Sequence, residues 1–400
     1  MDQIISLDVL TLAGIAFGIL VVGLIFGWII APGKHKAHLA PQADSDHLAA
    51  LIAMDHGEYE ETERLLQAAI NLDPRNLDLY LSLADLHKAK GDGEAALRSL
   101  GNLLDTFRNK DSNYKRVVLR LAKEEAELGN YAGATERLLN LMEVPRFKKD
   151  LEVTILLREI FIAAADWDRA YEAAELALNN ESEVDRDRRP ASYILALMAS
   201  TRLTKGKKSE AEALVKKSKD FYKNCILTKI IAADLILASG KAAQAQSAYI
   251  TFIHEFPKLA HLIFDRLQRI FKNARQEADI LPIYEEVLVK DPVSYFTMIS
   301  MADYYARGRD LELASEMLEQ AEEIIPCTLP VARRQIEIYM ANKDLVAVVD
   351  TYENLLKNME IYLYNCIVCG RLDEQMIWHC PNCTSWGTYR PREDRIAIKS

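Results

Sequence analysis

A period of 34 residues governs this chain. Gly57 and Gly91 lie 34 residues apart, as do Gly206 and Gly240, and Pro257, Pro292 and Pro326 follow at intervals of 35 and 34. Each glycine falls between two stretches whose apolar residues recur at helical spacing. Each proline falls where the second stretch stops. Glycine readily takes the left-handed conformation that ends a helix, and proline cannot continue one. The period therefore predicts pairs of short helices. No pair can bury its apolar face alone, so each must stack on its neighbours.

Residues inside the period agree. Gly57-Glu-Tyr59 is followed by Leu66, Ala69 and Pro74, and the next unit carries Leu83, Ala84, Gly91, Ala96 and Leu100. A third has Leu121, Ala122, Gly129, Tyr131, Ala134 and Leu138, and a later one Met301, Ala302, Tyr305, Ala314, Leu318, Ala321 and Pro326. Small residues suit the crossing of the two helices, and large ones fill the gap to the next pair. This is the tetratricopeptide period. Some units are degenerate: Ala165-Asp-Trp167 replaces Gly-x-Tyr, the spacing there stretches to 36 and then 41, and Glu181 to Pro190 is a charged insertion. Eight or nine units fill residues 43–360, an all-α solenoid whose concave face suits another protein. Asp78, Asp85, Lys88, Arg116 and Lys123 are candidates to face that groove. The sequence does not fix the groove residues that hold a partner.

Val9 to Gly33 contains no charged residue, a run of 25. As a helix it spans roughly 37 Å at about 1.5 Å per residue, against a hydrocarbon core of about 30 Å. Asp2 and Asp8 precede it where a signal peptide would be basic. The reading is an uncleaved transmembrane anchor over 9–33, with a short periplasmic tail (1–8) and a linker (34–42). Lys34 and Lys36 put the following residues in the cytoplasm by the positive-inside rule. Two small-xxx-small pairs, Gly14/Gly18 and Gly23/Gly27, lie on opposite faces of this helix and are candidate helix contacts.

The end of the chain changes character. Cys366, Cys369, Cys380 and Cys383 form C-x₂-C-x₁₀-C-x₂-C over a segment read as 361–391, with a tail at 392–400. Two such turns can place four sulfurs around one metal ion, and four thiolates suit zinc or iron. Gly370 and Pro381 fit tight knuckle turns, and Ile367, Trp378 and Trp386 are expected to pack in the knuckle or dock it on the last helices. His379 is an unnecessary fifth ligand. The expected cofactor is one zinc or iron ion per chain.

No catalytic constellation emerges, so the expected role is not enzymatic. Gly206-Lys207 lacks the upstream glycine of a phosphate loop, and Pro257 interrupts the zincin-like start at His254-Glu255. Cys225 and Cys327 read as buried small hydrophobes, and the lysines from Lys205 to Lys223 as a solvated face. Arg371, Arg390, Arg392 and Arg395 would suit a nucleic-acid-binding ribbon, but the net charge of −10 argues against nucleic acid as a partner.

The order of anchor, repeats and tetracysteine, with Trp378-His-Cys-Pro-Asn-Cys383-Thr-Ser-Trp386, resembles the lipopolysaccharide assembly protein B family of Gram-negative bacteria. The resemblance spans the chain. It implies a rubredoxin-type terminal domain with the four cysteines as metal ligands, and a single-pass protein of the inner membrane facing the cytoplasm. It further implies an adaptor that regulates lipopolysaccharide synthesis with an FtsH-type membrane protease, promoting degradation of the lipid A pathway deacetylase, with other inner-membrane lipopolysaccharide proteins as partners. Two departures stand out: a longer acidic segment before the anchor, and Arg371 where an aromatic residue is common after Cys-Gly. Two alternatives remain open: a rubredoxin-type electron-transfer protein, and a tetratricopeptide assembly scaffold for another membrane complex.

Overall fold

The structure, a computed structural model, describes residues 42–104, 107, 112–180, 187–359 and 361–392. The anchor read over 9–33, with Gly14, Gly18, Gly23 and Gly27, lies outside the described residues. Among the described residues, no helix is long and apolar enough to cross a membrane.

The contacts divide the chain into two units, one ending at Asp166 and the other beginning at Trp167. The first holds α1 (42–55), α2 (Tyr59–Leu72), α3 (Leu77–Ala89), α4 (Gly93–Gly101), α5 (Ser112–Glu127), α6 (Tyr131–Glu143) and α7 (Leu151–Ala163). The second holds α8 (Trp167–Asn180), α9 (Arg189–Thr204), α10 (Lys208–Phe221), α11 (Ile226–Ala238) and α12 (Ala242–Glu255). It continues through α13 (Phe264–Ala274), α14 (Leu281–Lys290), α15 (Tyr295–Arg307), α16 (Leu311–Ile324), α17 (Leu329–Ala341) and α18 (Leu345–Asn358). Tight 3₁₀ turns at Pro257–Ile263 and Glu277–Ile280 precede α13 and α14. A small antiparallel sheet of β1 (Tyr364–Cys366), β2 (Leu372–Asp373) and β3 (Tyr389–Pro391), in the order β2-β1-β3, follows the helices.

The turn between the two helices of a repeat has one geometry at nine places among the described residues. Gly57, Gly91, Gly129, Gly206 and Gly240 are left-handed there, and so are Ala165, Arg275, Arg309 and Lys343. At each, the residue's own N–H bonds back three residues and the next N–H bonds back five, as in Gly91→Lys88 and Asp92→His87. This double closure satisfies carbonyls that the ending helix leaves open. Asp92, Asn130, Asp310 and Asp344 directly after the turn then cap the next helix, each accepting a backbone N–H with its side chain. The repeat thus extends through units in which no glycine marks it.

The core follows the small-large pattern. Leu66, Ala69, Ala84, Ala96, Leu100, Ala134, Leu138, Ala314, Leu318 and Ala321 are fully buried. Four of the five expected groove residues are spent in ion pairs between neighbouring helices. Arg116 reaches Asp78 at 2.6 Å, Arg120 joins Asp85 to Glu124, and Lys88 pairs with Glu127, all between α3 and α5. The same link recurs as Arg266–Asp234 at 2.6 Å between α11 and α13, and as Arg334–Asp303 at 2.7 Å between α15 and α17. Ion pairs thus tie the first helices of adjacent repeats, and Lys123 stays exposed. Cys225 is buried, and burial pushes its thiol pKa up. Cys327, also expected to be buried, is only half-buried, in a left-handed turn before α17.

Candidate metal centre

Two short turns bring the four cysteines together. Cys366 ends β1, and the Gly370 N–H bonds back to the Cys366 carbonyl at 2.8 Å. The second turn repeats this, with the Thr384 N–H on the Cys380 carbonyl at 2.8 Å. Gly370 and Thr384 are both left-handed, with φ of 75° and 54°. Each turn points its backbone amides at sulfur. Pairing of β1 with β3 sets Cys366 opposite Tyr389.

The four Sγ atoms lie within 4.8 Å of one another. Cys366 and Cys383 are 3.7 Å apart, as are Cys369 and Cys380. A disulfide would need about 2.05 Å. Four sulfurs placed tetrahedrally at about 2.3 Å from a metal would be about 3.8 Å apart. The residues present therefore fit a tetrathiolate ion, and zinc and iron suit them equally. The surroundings favour thiolate. Thr388 Oγ1 lies 3.2 Å from Cys366 Sγ, and the Tyr389 hydroxyl 3.8 Å from Cys380 Sγ, both able to donate to sulfur. The Asn382 side chain and the Arg371 backbone bring the Cys369 thiol down to about 6. Burial opposes ionisation of Cys366, but hydrogen bonds from Thr388 and nearby amides outweigh it and leave that pKa lowered. Burial pushes Cys380 up to about 11. A bound cation removes that last penalty, which ties metal binding to folding of the module.

The module does not hang free of the helices that precede it. Trp386 stacks on Tyr193 of α9 with ring centroids 5.6 Å apart, and Trp378 lies 6.0 Å from the same ring. The backbone at Gly387 passes so close that an added Cβ would overlap the Tyr193 hydroxyl. On β1, Tyr364 bonds the His261 Nε2 at 3.0 Å, and His261 stacks on Phe296 of α15 at 4.3 Å. The Tyr295 hydroxyl donates to the Leu363 carbonyl at 2.8 Å. Sequence reasoning expected the tryptophans within the knuckle or on the last helices, whereas they reach back to α9. Ile367 also departs from expectation, being exposed on the outer turn beside Val368. Of the four arginines considered for nucleic acid, Arg390 and Arg392 donate to backbone carbonyls within the module. Arg395 lies outside the described residues.

The family described as tetratricopeptide repeat matches residues 53–121. Lipopolysaccharide assembly protein B of Escherichia coli (strain K12) is 19% identical over 385 residues, covering 94% of this chain and 97% of the relative. The protein of that name from Haemophilus influenzae is 20% identical and covers 78% of each chain. A solved tetratricopeptide repeat protein from Parabacteroides merdae shares 15% identity over 78% of this chain and 99% of its own, with a TM-score of 0.35. The chain is thus similar to lipopolysaccharide assembly protein B along most of its length.

Tyr193, His261, Tyr295 and Phe296 form the seat of the metal module, and none was singled out from the sequence. One signal for the first was present. From Pro190 to Ala199 only Ser192 interrupts a run of apolar and aromatic residues, so α9 has no polar face there, and every residue from Pro190 to Ala196 is indeed buried. A helix apolar all round needs a second partner besides its own repeat neighbours.

Proposed function

We propose that this chain is a membrane-tethered adaptor that regulates lipopolysaccharide synthesis without chemistry of its own. The observation that carries this reading is the similarity to lipopolysaccharide assembly protein B over 94% of this chain and 97% of the relative. The run from Val9 to Gly33 is the tether, and Lys34 and Lys36 keep the repeats on the cytoplasmic face of the inner membrane. The repeats hold the lipid A pathway deacetylase and present it to an FtsH-type protease. Tethering raises the local concentration of client beside its protease. The tetrathiolate ion, zinc or iron, is structural: four thiolates leave no open coordination position.

The test is the lifetime of the deacetylase after depletion of this protein. Slower turnover and more lipopolysaccharide are expected; an unchanged lifetime in cells that retain the protease rejects the adaptor. A chain starting at residue 34 should fold and bind metal yet complement poorly. Protease added outside spheroplasts should leave the repeats intact.

One observation keeps a second reading. Cys369 is exposed, and exposed Ile367 and Val368 flank it. Such an edge suits electron transfer through iron to a docked partner. A reversible iron couple whose loss by Cys369→Ser abolishes function, with repeat folding intact, would favour that reading over the adaptor.

A further inference from the structure

A cavity of about 360 Å³ lies where the metal module rests on the helices. Arg189, Tyr222 and Asn224 line it from the helical side, and Trp386, Thr388 and Arg390 from the module. Its donors outnumber its acceptors. The Arg390 guanidinium uses Nη1 alone, donating to the carbonyls of Gly387 at 2.9 Å and Tyr389 at 2.7 Å. Among the described residues its Nε and Nη2 have no acceptor, and no acid pairs with it. Burial lowers its pKa from the ordinary arginine value, as expected of a cation short of compensating charge. The Trp386 ring lines the cavity, while its indole N–H is buried away from it.

The remaining charges are already matched. Arg189 holds Asp187 through two bonds of 2.9 Å. Glu255, which also lines the cavity, takes Lys229. One positive charge is left over, and two carboxylates nearby disfavour a doubly charged guest. Tyr222, Phe256 and Trp386 supply flat apolar walls. The volume falls at the small end of ligand pockets.

We propose that this cavity binds a small carboxylate carried on an aromatic or apolar body, with the carboxylate on the open Nε–Nη2 edge of Arg390 and the body against the Trp386 ring. That edge of a guanidinium matches the two oxygens of a carboxylate. Because helices and module each supply part of the wall, the ligand binds only the docked form and stabilises docking by mass action.

Benzoate is the probe and benzamide its neutral control, tested on the full metal-loaded chain in detergent. The readout is the indole N–H resonance of Trp386, identified among the four tryptophans as the one lost in Trp386→Phe. Benzoate should move it saturably and raise the unfolding temperature, while benzamide at equal concentration does neither. Arg390→Gln should weaken benzoate at least tenfold. An unmoved Trp386 resonance, equal effects of the two probes, or equal benzoate affinity in a folded Arg390→Gln protein would overturn the assignment. The comparison of the two probes needs no variant, so it stands even if Arg390→Gln does not fold.

Discussion

Trp386 of the metal module and Tyr193 of α9 stack with their ring centroids 5.6 Å apart, at an interplanar angle of 28°. Both rings are buried, at 5% and 2% exposure, and each covers part of the other. Truncating a buried aromatic costs about 3–5 kcal/mol, and a stacked pair contributes about 1 kcal/mol beyond its area. Tyr193→Ala and Trp386→Ala should each lower stability by about that first amount. Their double variant should show about 1 kcal/mol or more of coupling in chemical denaturation. Additive losses would mean that the two rings do not hold the module in place.

Metal content should be one zinc or iron ion per chain by elemental analysis. Cys369→Ser combined with Cys380→Ser should abolish it. If the module folds around such an ion, removing it should flatten the near-ultraviolet signal of Trp378 and Trp386 while far-ultraviolet helicity changes little.

His261 makes stability depend on pH. Its ring is packed against Phe296 and Tyr364, and burial brings its pKa down to about 3 against a hydrogen bond with the Lys258 backbone that favours the charged form. An unfolded histidine titrates near 6.5. Between these values the unfolded chain binds a proton that the folded chain refuses. Stability is therefore full above pH 6.5 and falls as pH drops, by about 1.4 kcal/mol per unit. At pH 5 the loss should be about 2 kcal/mol. His261→Phe should remove that part of the slope; an unchanged slope would assign the acid sensitivity elsewhere.

The repeat turns should respond oppositely to opposite substitutions. Gly240 sits at φ 78° with open space around its Cα, so Gly240→Ala adds strain without a clash and should cost about 1 kcal/mol. Arg309, at φ 63°, already bears that strain. Arg309→Gly should raise the unfolding temperature by about 1–3 °C, since relief of the left-handed backbone exceeds the added entropy of the unfolded chain. Thermal unfolding of the two variants against the parent chain measures both.

Glycine spacing and the tetracysteine made the repeat and the sulfur cluster legible, because both depend on backbone chemistry that few residues supply. The left-handed turns at Arg275, Arg309 and Lys343 were not legible by that route. There the double hydrogen-bond closure, joined by a following cap at Asp310 and Asp344, holds a conformation that the residue itself disfavours. Asp78, Asp85, Lys88 and Arg116 illustrate another limit. Sequence can place such residues on one side of an array, but whether they face a guest or each other depends on how far adjacent repeats rotate. The seat of the metal module was hidden for a third reason. A tyrosine in a helical apolar pattern looks the same whether the next repeat or a distant knuckle covers it.

The contacts of Tyr364, Trp378 and Trp386 with α9, α15 and the turn before α13 have a consequence for how the protein is made. A ribosome delivers the supporting helices first and the covering residues afterwards. Until Trp386 has left the exit tunnel and the four thiols have captured an ion, the rings of Tyr193 and Phe296 lack their final cover. Chaperone holding or proteolytic triage of a nascent or metal-starved chain would therefore act at that uncovered aromatic face. If the thiols need an ion to complete that step, metal supply would enter the abundance of the whole chain late in its synthesis.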